Sequence, residues 1–137
     1  MIVKNVQITL LLVGVLMTSA CVSVPTFVHD SGVRIVPISN ESGRIRSPGF
    51  WTDRDGISLR GDVLPGSAGQ SPLVGHIDIA ITVPDGSNTV CTMTPLITDR
   101  RYEGSRFNRP FASMPPRGSR VRVWYHSVTA SHDDCAT

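Results

Sequence analysis

The chain has 137 residues, 13 Lys and Arg against 11 Asp and Glu, and a formal net charge of +2. That length holds one domain and not two. The 12 Gly and 10 Pro are spread along it and favour many short strands over long helices.

The opening 21 residues carry Lys4, an apolar run from Ile8 to Met17 broken only by Thr9, the small residues Thr18-Ser19-Ala20, and then Cys21. A charged start, an apolar run of about 7–15 residues and a small-residue cleavage site make a secretory signal. The run is about half of the roughly 20 apolar residues that a spanning helix needs. The residues before Cys21 resemble the lipobox of bacterial lipoproteins, with Thr18 standing where that family usually has Leu. The resemblance implies cleavage before Cys21 and lipidation of that cysteine by diacylglycerol and a further acyl chain such as palmitate. Val22 is not the Asp that marks inner-membrane retention in that family, which implies the periplasm-facing outer membrane. Two alternatives stay open: ordinary cleavage after Ala20, giving a soluble secreted or periplasmic chain, and an uncleaved anchor. The organisation expected is a signal peptide over 1–20, a lipidated cysteine and tether over 21–32, and one β-domain over 33–137.

Lipidation of Cys21 would account for the odd cysteine in a chain with three. Cys91 and Cys135 are then expected to pair as a disulfide in an oxidising compartment, closing a 45-residue loop. Two separate buried thiols are the alternative. A metal site of Cys91, Cys135 and His132 lacks the paired-ligand spacing such sites use.

Residues 22–32 show no period and read as the tether, although Phe27 and Val28 offer an apolar pair for docking on the domain edge. Val33–Ile38 is rich in β-formers, and Pro37 argues for an edge strand. After a turn at Asn40–Gly43, a strand is expected over about Ser42–Phe50, and Thr52–Gly56 reads as the next turn. Ile57–Val63 alternates, with Ile57, Leu59 and Val63 on one face and Ser58, Arg60 and Asp62 on the other. Gly61 on the apolar face marks a bulge or a close approach. Leu64–Leu73 reads as a loop.

Gly75–Val83 carries the strongest period of two, with Ile77, Ile79, Ile81 and Val83 opposed to His76, Asp78, Ala80 and Thr82. Pro84-Asp85-Gly86 is a hairpin turn, Pro presetting φ and Gly supplying φ > 0. The return strand is expected at Asn88–Ile97, a charged loop at Asp99–Ser105 and a short strand at Arg106–Ala112. After the stiff turn Met114–Gly118, Ser119–His126 alternates with Val121, Val123 and Tyr125 inward and Arg120, Arg122, Trp124 and His126 outward. These short strands predict an all-β fold, a sandwich of about seven strands, with a small barrel as the alternative. The late pattern, an aromatic-bearing strand, a Pro/Gly turn and a Val-x-Val-x-Tyr strand, resembles the closing strands of immunoglobulin-like or fibronectin type III-like domains.

No nucleophile elbow, phosphate loop or H-E-x-x-H appears, so the chain is read as non-enzymatic, with no cofactor. Asp53-Arg54-Asp55-Gly56 resembles a fragment of a calcium loop, but the bidentate Glu such a loop needs is missing, and it is read as a turn. His76 and Asp78 share a strand face, His126 lies on another outward face, and His132-Asp133-Asp134 closes the chain. The expectation for all of these is solvated polar surface, with no metal assigned. The alternative is a small ligand- or metal-binding, or hydrolytic, periplasmic domain built on His76, Asp78 and His126.

Charge is uneven. Asp99–Arg122 holds seven Arg against Asp99 and Glu103, whereas 22–98 holds five Arg against seven acids. Arg100, Arg101, Arg120, Arg122 and Trp124 are therefore the expected patch for an anionic envelope component or an envelope protein, through charge-assisted pairs. Dispersal of these arginines among local acids is the competing reading. Nucleic acid is disfavoured by the compartment. The reading that follows is a lipid-anchored accessory domain that binds another envelope component.

Overall fold

The chain forms eight strands: β1 Thr26–Phe27, β2 Arg34–Ile38, β3 Gly43–Asp53, β4 Gly56–Pro65, β5 Gly75–Thr82, β6 Thr89–Thr98, β7 Ser105–Phe111 and β8 Arg120–Ser127. The computed structural model describes residues 24–67, 73–98 and 104–128. The leader with Cys21, Arg100 and Arg101, His132-Asp133-Asp134 and Cys135 lie outside the described residues.

The strands form one hydrogen-bonded order, β1-β3-β4-β7-β6-β5-β8-β2, curled into a half-barrel. Every pairing is antiparallel except β2 with β8, which is parallel. The all-β expectation holds, and the immunoglobulin-like sandwich of about seven strands is corrected. β6 is the reason: His76–Thr82 of β5 pair with its first part, up to Pro95, while Leu96–Thr98 pair with β7. One strand thus joins what would have been two sheets.

The curl lets one chain segment span both ends of the order. β2 lies at the far edge, as Pro37 required, yet the next strand, β3, lies near the other end. The Asn40 turn makes the crossing. Its side-chain Oδ1 accepts from the N–H groups of Ser42 and Gly43 at 3.0 and 2.8 Å, and its Nδ2 donates to Tyr125 O of β8 at 2.9 Å.

Inside the curl lies one core of Ile45, Phe50, Leu59, Val63, Leu73, Ile77, Ile79, Phe107, Val121, Val123 and Tyr125. Leu59, Val63, Ile77, Ile79, Val121, Val123 and Tyr125 are inward positions expected of β4, β5 and β8, whereas Ile57 and Ile81, also expected inward, are only partly buried against the core. Gly61 marks a close approach: a Cβ there would meet the Phe107 ring at 2.7 Å. The irregular pairing instead falls in β3, between Arg46 and Gly49, where Ser47 has φ of 50°.

Thr26–Val28, in the middle of the expected tether, is docked. Phe27 pairs with Trp51, the two rings meeting edge to face at 5.3 Å, and Val28 N donates to Phe50 O at 2.9 Å. The Val83–Gly86 turn closes as expected, with Gly86 N donating to Val83 O at 2.9 Å and Gly86 at φ 72°.

Candidate functional site

The outer face of β5, β8 and β2 collects most of the polar residues that the sequence singles out. The antiparallel register sets His76 opposite His126, Asp78 opposite Trp124, Ala80 opposite Arg122 and Thr82 opposite Arg120. The parallel register sets Arg34 opposite Arg120, Val36 opposite Arg122 and Ile38 opposite Trp124. Facing residues on paired strands share a side of the sheet.

His76, Asp78 and His126 form one cluster. Asp78 Oδ2 lies 2.8 Å from His126 Nδ1, and Asp78 Oδ1 lies 3.2 Å from His76 Nε2. The two imidazoles stack with centroids 5.1 Å apart and planes 23° from parallel. Asp78 thus sits with one carboxylate oxygen towards each ring. The cluster is enclosed, the side chains of His76, Asp78 and His126 keeping only 15%, 10% and 4% of their exposure. The expectation of solvated polar faces is therefore corrected for these three residues. Its physical basis was incomplete: alternation assigns a residue to a face but does not say how much of that face water reaches. β5 is internal to the sheet, and Asp78 and Ala80 are buried on its outer side as Ile77 and Ile79 are on its inner side.

The second feature is a basic strip. Arg34 and Arg120 are exposed neighbours with no ion pair among the described residues. Arg122 lies with its guanidinium carbon 5.8 Å from the centre of the Trp124 ring, the geometry of a cation–π contact. Arg34 was missed by sequence reasoning because only the β2–β8 pairing brings it to this strip. The parity of Arg34 with Val36 and Ile38 was legible, but their neighbour was not.

The other arginines of the basic run divide differently. Arg106 lies 3.8 Å from Asp62, which also holds Arg46 at 3.2 Å. Arg109 donates to Met93 O at 3.3 Å, and Arg117 pairs with Asp30 at 3.5 Å. These three are locally engaged; of the expected patch, Arg120, Arg122 and Trp124 are described, and Arg34 joins them from β2.

The Asp53 turn is not an assembled calcium loop. The Asp53 carboxylate is paired with Arg60 and accepts from Asp55 N at 2.9 Å. Both bonds, the Arg60 bond first, hold its pKa below the ordinary carboxylate value. Cys91 is exposed on β6 opposite Ala80 and is disulfide-bonded, its partner lying outside the described residues.

Compared with known proteins, the chain matches no family model, no curated protein and no solved structure. The chemistry of the two features on this face is therefore the ground for a functional reading.

Proposed function

We propose that this chain is a non-catalytic binding domain of the bacterial envelope, anchored by lipid at Cys21 to the outer membrane and facing the periplasm. It captures an anionic envelope component on the outer face of β8 and β2. The observation that carries this reading is the side-by-side placement of Arg34 and Arg120, with Arg122 against Trp124 one step along the same strands. Guanidinium groups recognise phosphate or carboxylate through paired charge-assisted hydrogen bonds, and an adjacent indole adds an apolar ledge. The lipobox-like leader supports the compartment, where lipid phosphates, wall carboxylates and acidic protein faces are the available anions.

The test is co-sedimentation of the full chain with isolated cell wall and with anionic vesicles over a range of salt. Binding should weaken as salt rises. The double variant Arg120→Ala, Arg122→Ala should bind at least several-fold more weakly and with a shallower salt dependence. Identical binding and salt dependence in the double variant would remove this face as the site.

A further inference from the structure

The His76–Asp78–His126 cluster plays no part in the anion reading, and its chemistry is of another kind. Two imidazoles and one carboxylate, supplied by adjacent strands, bring ligand atoms that all lie within 4.8 Å of one another. We propose that these three residues form a binding site for a first-row divalent transition metal, with Zn(II) as the ion to test first. This departs from the sequence expectation that no metal is bound, and it stands or falls independently of the basic strip.

The donor set selects the class of ion. Imidazole nitrogen with a single carboxylate suits Zn, Fe, Co, Ni or Cu, whereas Mg(II) and Ca(II) take mostly oxygen ligands. Two His and one Asp leave a tetrahedral ion one open position, which water would fill.

The geometry is close to what such an ion needs. Ligand bonds of about 2.0–2.1 Å place tetrahedral ligand atoms roughly 3.3 Å apart. Asp78 reaches the two rings through different oxygens, at 2.8 and 3.2 Å, and one ligand atom from each of the three residues lies within 4.8 Å of the others, a spread that modest side-chain adjustment would close around one ion. The backbone already supplies the convergence: His76 and His126 are paired across β5 and β8, and Asp78 is two residues along the same face of β5.

Burial supplies a second argument. A carboxylate and two imidazoles enclosed at an internal strand carry a desolvation cost that threonine or valine at the same positions would not. A bound dication replaces the protons between the rings and the carboxylate and offsets that cost with direct coordination. Elsewhere on the face, Thr82 and Thr89 meet at 3.0 Å as an exposed hydroxyl pair, which carries no such cost.

The experiment uses the full chain in detergent, stripped with chelator and titrated with Zn(II), with Co(II) for its visible absorption and with Mg(II) as control. Expected are one Zn(II) per chain, a rise in melting temperature on loading, and a four-coordinate Co(II) spectrum. Mg(II) should give none of these. His76→Ala, the least buried of the three, should lower Zn(II) affinity at least tenfold while the unloaded protein keeps the wild-type melting temperature within a few degrees. Asp78→Asn and His126→Ala should do the same, but their burial makes His76→Ala the deciding variant if they fail to fold. Absence of Zn(II) binding by the wild-type chain would overturn the proposal. So would unchanged affinity in His76→Ala, or a loss produced by His132→Ala and not by His76→Ala, which would assign the metal to the C-terminal tail.

Discussion

Gly43 of β3 and Tyr125 of β8 touch across the mouth of the curled sheet, so closely that a Cβ on Gly43 would stand 2.5 Å from the ring's Cδ1 and 3.2 Å from Tyr125 Cβ. The obstructing atoms include the root of the side chain, which cannot swing away as a flexible tip would. This contact, with the Asn40–Tyr125 hydrogen bond beside it, brings together strands near opposite ends of the sheet order. Gly43→Ala should therefore loosen the closure and cost about 1–3 kcal/mol, the usual range for overpacking a buried site. Urea denaturation of the two proteins measures it. A loss below about 0.5 kcal/mol, within the ordinary scatter of harmless substitutions, would show that the two ends are held elsewhere.

Tyr125 is tied at its other end as well. Its hydroxyl donates to Val74 O at 2.8 Å, and burial raises its pKa above the ordinary 10.0. A group whose pKa is raised by folding stabilises the native state fully below its unfolded value. That contribution is lost as pH climbs through the folded value, because the unfolded chain ionises first. Tyr125→Phe should thus cost about 0.5–1.5 kcal/mol at neutral pH through the lost hydrogen bond. It should also flatten the decline of stability above about pH 10. Denaturation midpoints taken from neutral to strongly alkaline pH check both. An alkaline decline as steep in the variant as in the wild type would contradict the second.

Acid behaviour should carry the mark of Asp53. Its bond to Arg60, and after that its bond to Asp55 N–H, lower its pKa from 3.8. A carboxylate depressed in this way stabilises the fold above its unfolded pKa, and the contribution disappears as pH falls through the folded value. Asp53→Asn should therefore make the loss of stability below about pH 4 shallower, with little change at pH 7 beyond that of one weak surface pair. A pH series of thermal melts reads it directly. The same engagement predicts that calcium leaves the melting temperature unchanged, and a calcium-dependent rise would reopen the Asp53–Gly56 turn as a cation site.

Much of the half-barrel is legible in the residues because a period of two is a local property. Ile77 and Ile79, and Val121 and Val123, announce which way β5 and β8 face, and Pro37 announces an edge. What is not local is which strands lie side by side. His126 and Asp78 are 48 residues apart, and nothing in either segment says that β8 docks on β5. Without that neighbour, solvated polar surface is the expectation for His76, Asp78 and His126, and a site built on all three is only the alternative. The available signal was a shared parity: all three stand on the non-core side of the two most regular strands. The sandwich expectation failed for a related reason: β6 passes from one partner to the other at Pro95, and a proline inside an expected strand does not by itself say which strands lie on either side of it.

The cysteines give the last prediction, and it tests the leader and the domain together. Cys91 is already committed to a disulfide, and the reading of the leader commits Cys21 to lipid, which leaves Cys135 as the partner. A bond between Cys91 and Cys135 would tie the C-terminal tail to the outer face of β6, next to Ala80. Closing a loop of that length is worth about 2–4 kcal/mol, chiefly by restricting the unfolded chain. Cys135→Ser should therefore lower stability by about that much and expose one free thiol, and reduction of the wild type should have the same effect on the melting temperature. Intact mass of protein extracted from membranes should show acyl chains on Cys21 and a fragment joining Cys91 to Cys135. A fragment joining Cys91 to Cys21 would overturn both readings at once, because a cysteine held in a disulfide has no sulfur left for the thioether.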